Sequence, residues 1–388
     1  MRKFSLLALS VVFLLSGCAP AFQKQDDVVQ TKEKAKEKAI IPKYTISDKY
    51  YRTMLPFEPG GARGLIVNNL NTRYDINEFE LGLMRIAQNT FDPNKYFFRE
   101  GKELDRNTVM LWLNRKFTSE QLATQGLNES ENICLNPLND GKGDPKAANS
   151  KNPIYLAHIL EHDYMIKDDS GSVKLGGVVI GLAMNTIHYY QIQQFGDTFE
   201  TKIPHADVER EGKKIAQEVL NRLRRMSDLK NVPITIGLFE QQSRTSVIPG
   251  NFFAYTAVDS GSSSIDSWNK VNEKYFLFPS TEAMDAHRDD ATAFLNFEQD
   301  VETYFPNFNG VIGKAFYADD QLKDLNISIP IQFYGKSEAI GFTQYVTGLV
   351  MEHFPKYISV EVNVTSVNGP EALIVKTPDM SEPFVHIY

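Results

Sequence analysis

The run VVIGLAMNTIHYYQI (residues 178–192) is crowded with β-branched and aromatic side chains and reads as a strand. Downstream, Val208, Ile215, Ala216, Val219, Leu220, Leu223 and Met226 form one apolar stripe at helical spacing over residues 206–226. Asp207, Glu209 and Glu211 stand near the start of that helix and Arg222, Arg224 and Arg225 near its end, as the helix dipole favours. VPITIGLFEQ (232–241) and FFAYTAV (252–258) then read as strands. The same succession returns further on: NISIPIQFY (326–334), helical spacing through Ile340, Tyr345, Leu349 and Val350 over 338–354, then ISVEVNV (358–364) and EALIVKT (371–377). This pattern predicts an α+β fold, with mixed and antiparallel sheets, packed helices and two related strand-helix-strand-strand units. One continuous mixed sheet is the alternative. A strand near 273–278 and a helix near 282–304, stopped by Pro306, join the two stretches.

Ahead of this core, Asn77 precedes Phe79, Leu83, Met84, Ile86, Ala87 and Phe91 at helical spacing, ended by Asp92 and Pro93. Asp105 caps a second helix over 106–114, residues 119–153 read as a long polar loop, and a short helix is expected over 154–165. The expected division is a helical region at 43–150 carrying that loop, an α+β unit at 151–280 and a second at 281–388.

At the N-terminus, Arg2 and Lys3 lead an apolar run that closes on small residues before Cys18, the layout of a secretory signal over residues 1–17. The run falls short of the about 20 apolar residues that a settled membrane span requires. Leu15, Ser16, Gly17 and Cys18 resemble the bacterial lipobox, in which the cysteine sulfur receives diacylglycerol and the chain is cut before it. An ordinary secretory signal that leaves a free Cys18 is the bland alternative. Residues 18–42 interleave Lys and Glu with little to pack, and read as a disordered charged tether that can turn helical in part.

Cleavage would take the formal charge from −8 to −10. An acidic chain with no basic stripe excludes nucleic acid as a partner. With Cys18 lipidated, Cys134 has no intramolecular partner, so no disulfide framework exists and the core must supply the stability. Asn128, Asn326 and Asn363 head glycosylation sequons that a bacterial chain does not use. No nucleophile elbow, P-loop or dinucleotide fingerprint is present, no cofactor is expected, and the hydroxyl-rich 259–267 and the Gly-Asp-rich 140–144 read as loops.

His158, Glu161 and His162 fit an H-x-x-E-H pattern. On a helix the two imidazoles share a face and could hold zinc while Glu161 activates a water, with Asp163, His188, Glu200 or His205 as a third ligand. Two histidines flanking an ordinary helix are the plainer reading, so no metal is expected. Tyr189, Tyr190, Phe252, Phe253 and Phe333 are aromatic candidates for lining a binding groove.

RTMLPFEPGGARGL (52–65), IGLAMNTIHYY (180–190), IPIQFYGKSEAIGFTQYVT (329–347) and EPFVHIY (382–388), together with the lipobox, resemble the CamS family of sex pheromone lipoproteins of Gram-positive bacteria. The resemblance implies two products. One is a non-enzymatic lipoprotein anchored at the outer face of the cell membrane, whose ectodomain is a binding or interaction module. The other is a hydrophobic peptide trimmed from the signal, comprising Val11, Val12, Phe13, Leu14, Leu15, Ser16 and Gly17, or the same with Ser10. The implied partners are the membrane, lipoprotein-processing enzymes and a peptide-sensing receptor on plasmid-bearing cells. A zinc-dependent cell-wall hydrolase and a solute-binding lipoprotein are the alternatives.

Overall fold

A computed structural model describes residues 27–30, 38–304 and 310–388. The lipobox, Cys18 and the peptide segment lie outside the described residues.

Within the expected tether, β1 (Asp27–Gln30) and β2 (Lys38–Ile41) pair antiparallel. The apolar residues flanking the charged run account for this difference from a plain spacer: Val29, Ala39 and Ile41 bury against Met54, Phe97, Met165 and Val173. After the single turn α1 (Ile66–Asn69), α2 (Arg73–Gln88) starts four residues earlier than Asn77 because Thr72 accepts from the Asp75 amide and serves as its N-cap. Next come β3 (Tyr96–Glu100) and α3 (Arg106–Leu113), which is capped by Asp105 as expected. The polar stretch 119–153 holds two short helices, α4 (Ser119–Gln125) and α5 (Pro145–Lys151), rather than unbroken loop.

The segment expected as a helix over 154–165 is instead β4 (Leu156–Lys167). Both of its faces are buried, so the period-2 alternation that marks a half-exposed strand is missing, and Tyr155, Leu156, Ile159 and Leu160 mimic helical spacing. Pairing with β3 on one side and with β5 (Val173–Asn185) on the other decides the conformation. The run 178–192 is therefore divided. β5 ends at Asn185, Thr186 donates its hydroxyl to the Gln241 carbonyl (2.7 Å), and β6 (Ile187–Gln191) leaves to pair with β7 (Thr198–Lys202).

α6 (His205–Leu223), β8 (Ile234–Gln241), β9 (Asn251–Val258) and the two-residue β10 (Asn269–Lys270) complete a six-stranded sheet of order β3-β4-β5-β8-β9-β10. The chain continues through β11 (Glu273–Phe278), α7 (Thr281–Ala286), α8 (Arg288–Tyr304), β12 (Ile312–Ala318), β13 (Gln321–Pro330), α9 (Lys336–His353), β14 (Ser359–Ser366), β15 (Gly369–Lys376) and β16 (Phe384–Ile387). These strands form a second sheet, ordered β11 to β16.

Read from β3 and from β11, the two sheets share one succession of pairings: antiparallel, antiparallel, parallel, antiparallel, antiparallel. The parallel step is bridged by α6 in the first sheet and by α9 in the second, so the strand-helix-strand-strand units exist as two separate sheets of like topology.

β5 explains the continuous apolar run. Val178, Ile180, Leu182 and Met184 pack under α6, while Val179 and Ala183 pack under α2 on the opposite face. Gly177 leaves room there, since a Cβ would lie 2.2 Å from the Phe91 ring.

The second sheet buries one face against α8 and α9. Its other face meets α2 through charge. Arg85 donates to Glu78 on its own helix and to both carboxylate oxygens of Glu273 on β11 (3.2 and 2.8 Å), and its guanidinium lies over the Phe316 ring at 4.7 Å. The Tyr275 hydroxyl donates to Glu78, and Lys314 sits over Tyr74. Burial raises the Glu78 pKa and the Arg85 charge offsets part of that rise.

Breaking a buried ion pair from one side leaves the remaining charges uncompensated. Arg85→Ala is expected to lower the free energy of unfolding by about 3 kcal/mol, the low end for such pairs because Arg85 keeps some exposure. A urea midpoint unchanged from the parent would show that this cluster does not join the two sheets.

Candidate functional site

β3 stops at Glu100 while β4 continues back to Leu156, so residues 157–161 of β4 have no β3 neighbour. The last tie is from the Gly101 amide to the Glu161 carbonyl at 3.1 Å. Loop 101–104 closes this gap from one side and the Gly-rich loop 59–64 from another. The Gly60 amide donates to Glu100 (2.6 Å), and Gly101 can approach β4 only because it lacks a Cβ, which would fall 2.3 Å from the Glu161 Cγ.

Between these loops, α1 and α2 lies a cavity of about 360 Å³. Ile66, Ile76, Met84, Phe98, Leu104 and Ile159 supply its apolar walls, and His158, Glu161 and His162 line it too. The H-x-x-E-H stretch thus borders a pocket, but not as a zinc site. Four residues along a strand span about 13 Å, against roughly 6 Å on a helix, so one ion cannot bridge the two imidazoles. Glu161 points to the opposite face of β4, where it accepts from the Leu104 amide (2.8 Å) and the Glu103 amide (3.2 Å). It anchors a loop and is not placed to activate a water.

The possible third ligands are dispersed. Asp163 pairs with Arg99 (2.7 Å), His188 lies beside Arg115 and Asn149, His205 pairs with Glu240 (2.8 Å), and Glu200 sits opposite Tyr189 in the β6–β7 hairpin. Among the described residues, no group of three or more His, Cys, Asp or Glu side chains could hold a metal ion.

The two imidazoles are neutral at pH 7. Burial pulls His158 down to about 4, and the Asn69 amide donates to its Nδ1 (3.1 Å), which places the ring proton on Nε2. Burial pulls His162 down to about 3. Its ring stands edge-on to Phe98 at 4.9 Å, and its Nδ1 is buried without a hydrogen-bond partner. Around the mouth, Arg63 pairs with Glu100 (3.4 Å) and covers the Phe57 ring, Glu80 is raised by burial and by Glu100, and Arg73 is exposed. The arrangement suits an apolar ligand with a polar end. The lining includes no nucleophile paired with a base.

The aromatic candidates scatter. Phe252 is core beside Phe79 and Phe239, Phe333 packs on Phe342, and Phe253 borders a shallow pocket with His205. Tyr190 stacks between His188 and Phe199, and Tyr189 lines a separate groove. Cys134 is buried and burial raises its pKa, which makes it unreactive. Sequence reasoning missed Arg63, Arg73 and Glu80 because they converge only when loop 59–64 folds over α2. The turn-rich PGGARG run was their one local signal.

Unfolding frees both histidines to titrate near 6.5, so the unfolded chain binds more protons than the folded one between about pH 6.5 and 4. Their contribution to stability is present above 6.5 and is lost as pH falls through that window, by up to about 1.4 kcal/mol per pH unit for each ring. The buried carboxylates Asp75, Glu78 and Glu161, raised by burial, act in the opposite sense. The histidine part is therefore read as a difference: His162→Phe is expected to lose less stability than the parent between pH 7 and 5. Parallel pH profiles would show that His162 titrates normally in the folded chain.

The model of a family described as CamS sex pheromone cAM373 precursor matches residues 57–382. A solved sex pheromone precursor from Lactobacillus salivarius subsp. salivarius superposes with a TM-score of 0.79 at 32% identity, covering 88% of this chain and 97% of the other. The C-terminal domain of the sex pheromone staph-cAM373 precursor from Staphylococcus aureus does so with a TM-score of 0.72 at 34% identity, covering 82% and 98%. No curated protein matches the chain. The matched residues take in the first sheet, the second sheet from β11 to β15 and the cavity between β4 and loop 59–64, and the chain belongs to the CamS family of sex pheromone cAM373 precursors.

Proposed function

We propose that this chain is a lipoprotein anchored through Cys18 at the outer face of the cell membrane, and that its cleaved signal is trimmed to a hydrophobic messenger peptide. Family membership supports the precursor role, and the observation that carries the finer reading is the Leu15-Ser16-Gly17-Cys18 sequence closing the apolar N-terminal run. Small residues at 16 and 17 lie flat in a peptidase groove, and the Cys18 thiol accepts diacylglycerol. Each buried methylene contributes about 0.8 kcal/mol, so two acyl chains hold where one is marginal.

The peptide, residues 11–17 or 10–17, has no charged side chain. It partitions into membranes and fills an apolar pocket on a sensing receptor. The ectodomain acts by binding rather than by catalysis, through the cavity beside β4. Its neutral imidazoles and apolar walls support that reading over a hydrolase.

Mass spectrometry of host culture medium and membranes tests the two products together. Diacylated Cys18 with residues 11–17 or 10–17 in the medium is the expected result. Lipidated Cys18 without any peptide would remove the messenger, and an unmodified Cys18 would remove the anchor. Cys18→Ala is expected to leave the precursor uncut. For the ectodomain, a ligand from a peptide and sugar panel is expected to raise Tm in the parent and not in Val67→Trp, which fills the cavity from an exposed position. A rise of the same size in Val67→Trp would place binding elsewhere.

A further inference from the structure

α1 borders a second depression through Asn68 and Asn69 rather than through Ile66 and Val67. This is an open groove of about 490 Å³ between α1, α3, the start of β4 and the β5–β6 turn. Its chemistry runs against that of the chain. The protein carries 49 acidic against 41 basic residues, yet neither Asp nor Glu lines this groove, whereas Arg106 and Arg244 both do. Both arginines are exposed, and neither has an ion-pair partner among the described residues.

Arg244 is held in place. Its guanidinium lies over the Tyr189 ring at 4.2 Å and its backbone amide donates to the Tyr189 hydroxyl (3.3 Å). Stacking occupies the face of the guanidinium and leaves its in-plane N–H donors available, the geometry that grips phosphate oxygens in pairs. Beside it, Asn68 and Asn114 offer uncommitted amides, each able to donate and accept, and Met110, 46% exposed, gives an apolar strip.

We propose that this groove binds a polyol phosphate, with Arg244 and Arg106 on the phosphate, the Asn68 and Asn114 amides on hydroxyls, and Met110 against the carbon backbone. A free phosphorylated polyol and a repeat of an anionic cell-surface polymer share this chemistry.

Equilibrium dialysis of the full chain in detergent against labelled sn-glycerol 3-phosphate, and co-sedimentation with poly(glycerol phosphate), test the proposal and separate the sources. Saturable binding of the monomer at one site per chain assigns the free compound. Binding of the polymer at least a hundredfold tighter per repeat assigns the polymer. Either is expected to weaken about tenfold in Arg106→Gln/Arg244→Gln, two exposed positions, and to be unchanged in Arg288→Gln, an exposed arginine on α8. Failure of both probes to bind, equal binding by the double variant, an equal loss in Arg288→Gln, or glycerol binding as well as its phosphate would each overturn it.

Discussion

The Arg85 guanidinium, shared between Glu78 on its own helix and Glu273 on the first strand of the second sheet, is the constraint on which the rest depends. A half-buried guanidinium is met by anions at fixed angles, so the cluster helps set how the second sheet lies against α2 and does not merely hold it there. The opposite side of the same helix presents Phe79, Leu83 and Ile86 to the first sheet, and Ile76, Glu80 and Met84 to the cavity. One helix is thus wedged between two sheets and forms a wall of the site. Whatever loosens the charge cluster will be felt at the cavity mouth.

The fold was legible wherever local pattern and final environment agree. α6 has a polar and an apolar side in the sequence and in the structure, and Asp105 caps the helix it was expected to cap. β5 is recognisable as a strand because branched residues dominate it, and the recurrence of strand, helix, strand, strand is written in the local pattern alone. β4 was illegible for a definite reason: a strand covered on both faces loses its alternation, and its apolar spacing then passes for a helix. Of the partners that resolve it, β3 lies far upstream in the chain, and the apolar run of β5 continues into β6.

The site was less legible. His158, Glu161 and His162 do border the cavity beside β4, but the strand separates the roles that a helix would have united. Glu161 turns to the 101–104 loop while the imidazoles face α2. Arg63 and Arg73, ten positions apart in the chain, carry no mark in sequence of where loop 59–64 folds. A carboxylate-free groove such as that around Arg244 is also invisible in a linear reading, since the absence of acids is a property of a surface and not of a segment.

The β1–β2 hairpin, docked on Met54 and Phe97, has a consequence for distance. A spacer of residues 18–42 would let the body range up to about 85 Å from its anchor at full extension. With the chain pinned from Asp27 onward, only residues 18–26 are left to span the gap, a reach of about 30 Å. Were Cys18 lipidated as proposed, that reach would hold the folded body close to the membrane surface and limit what it meets to molecules in that layer.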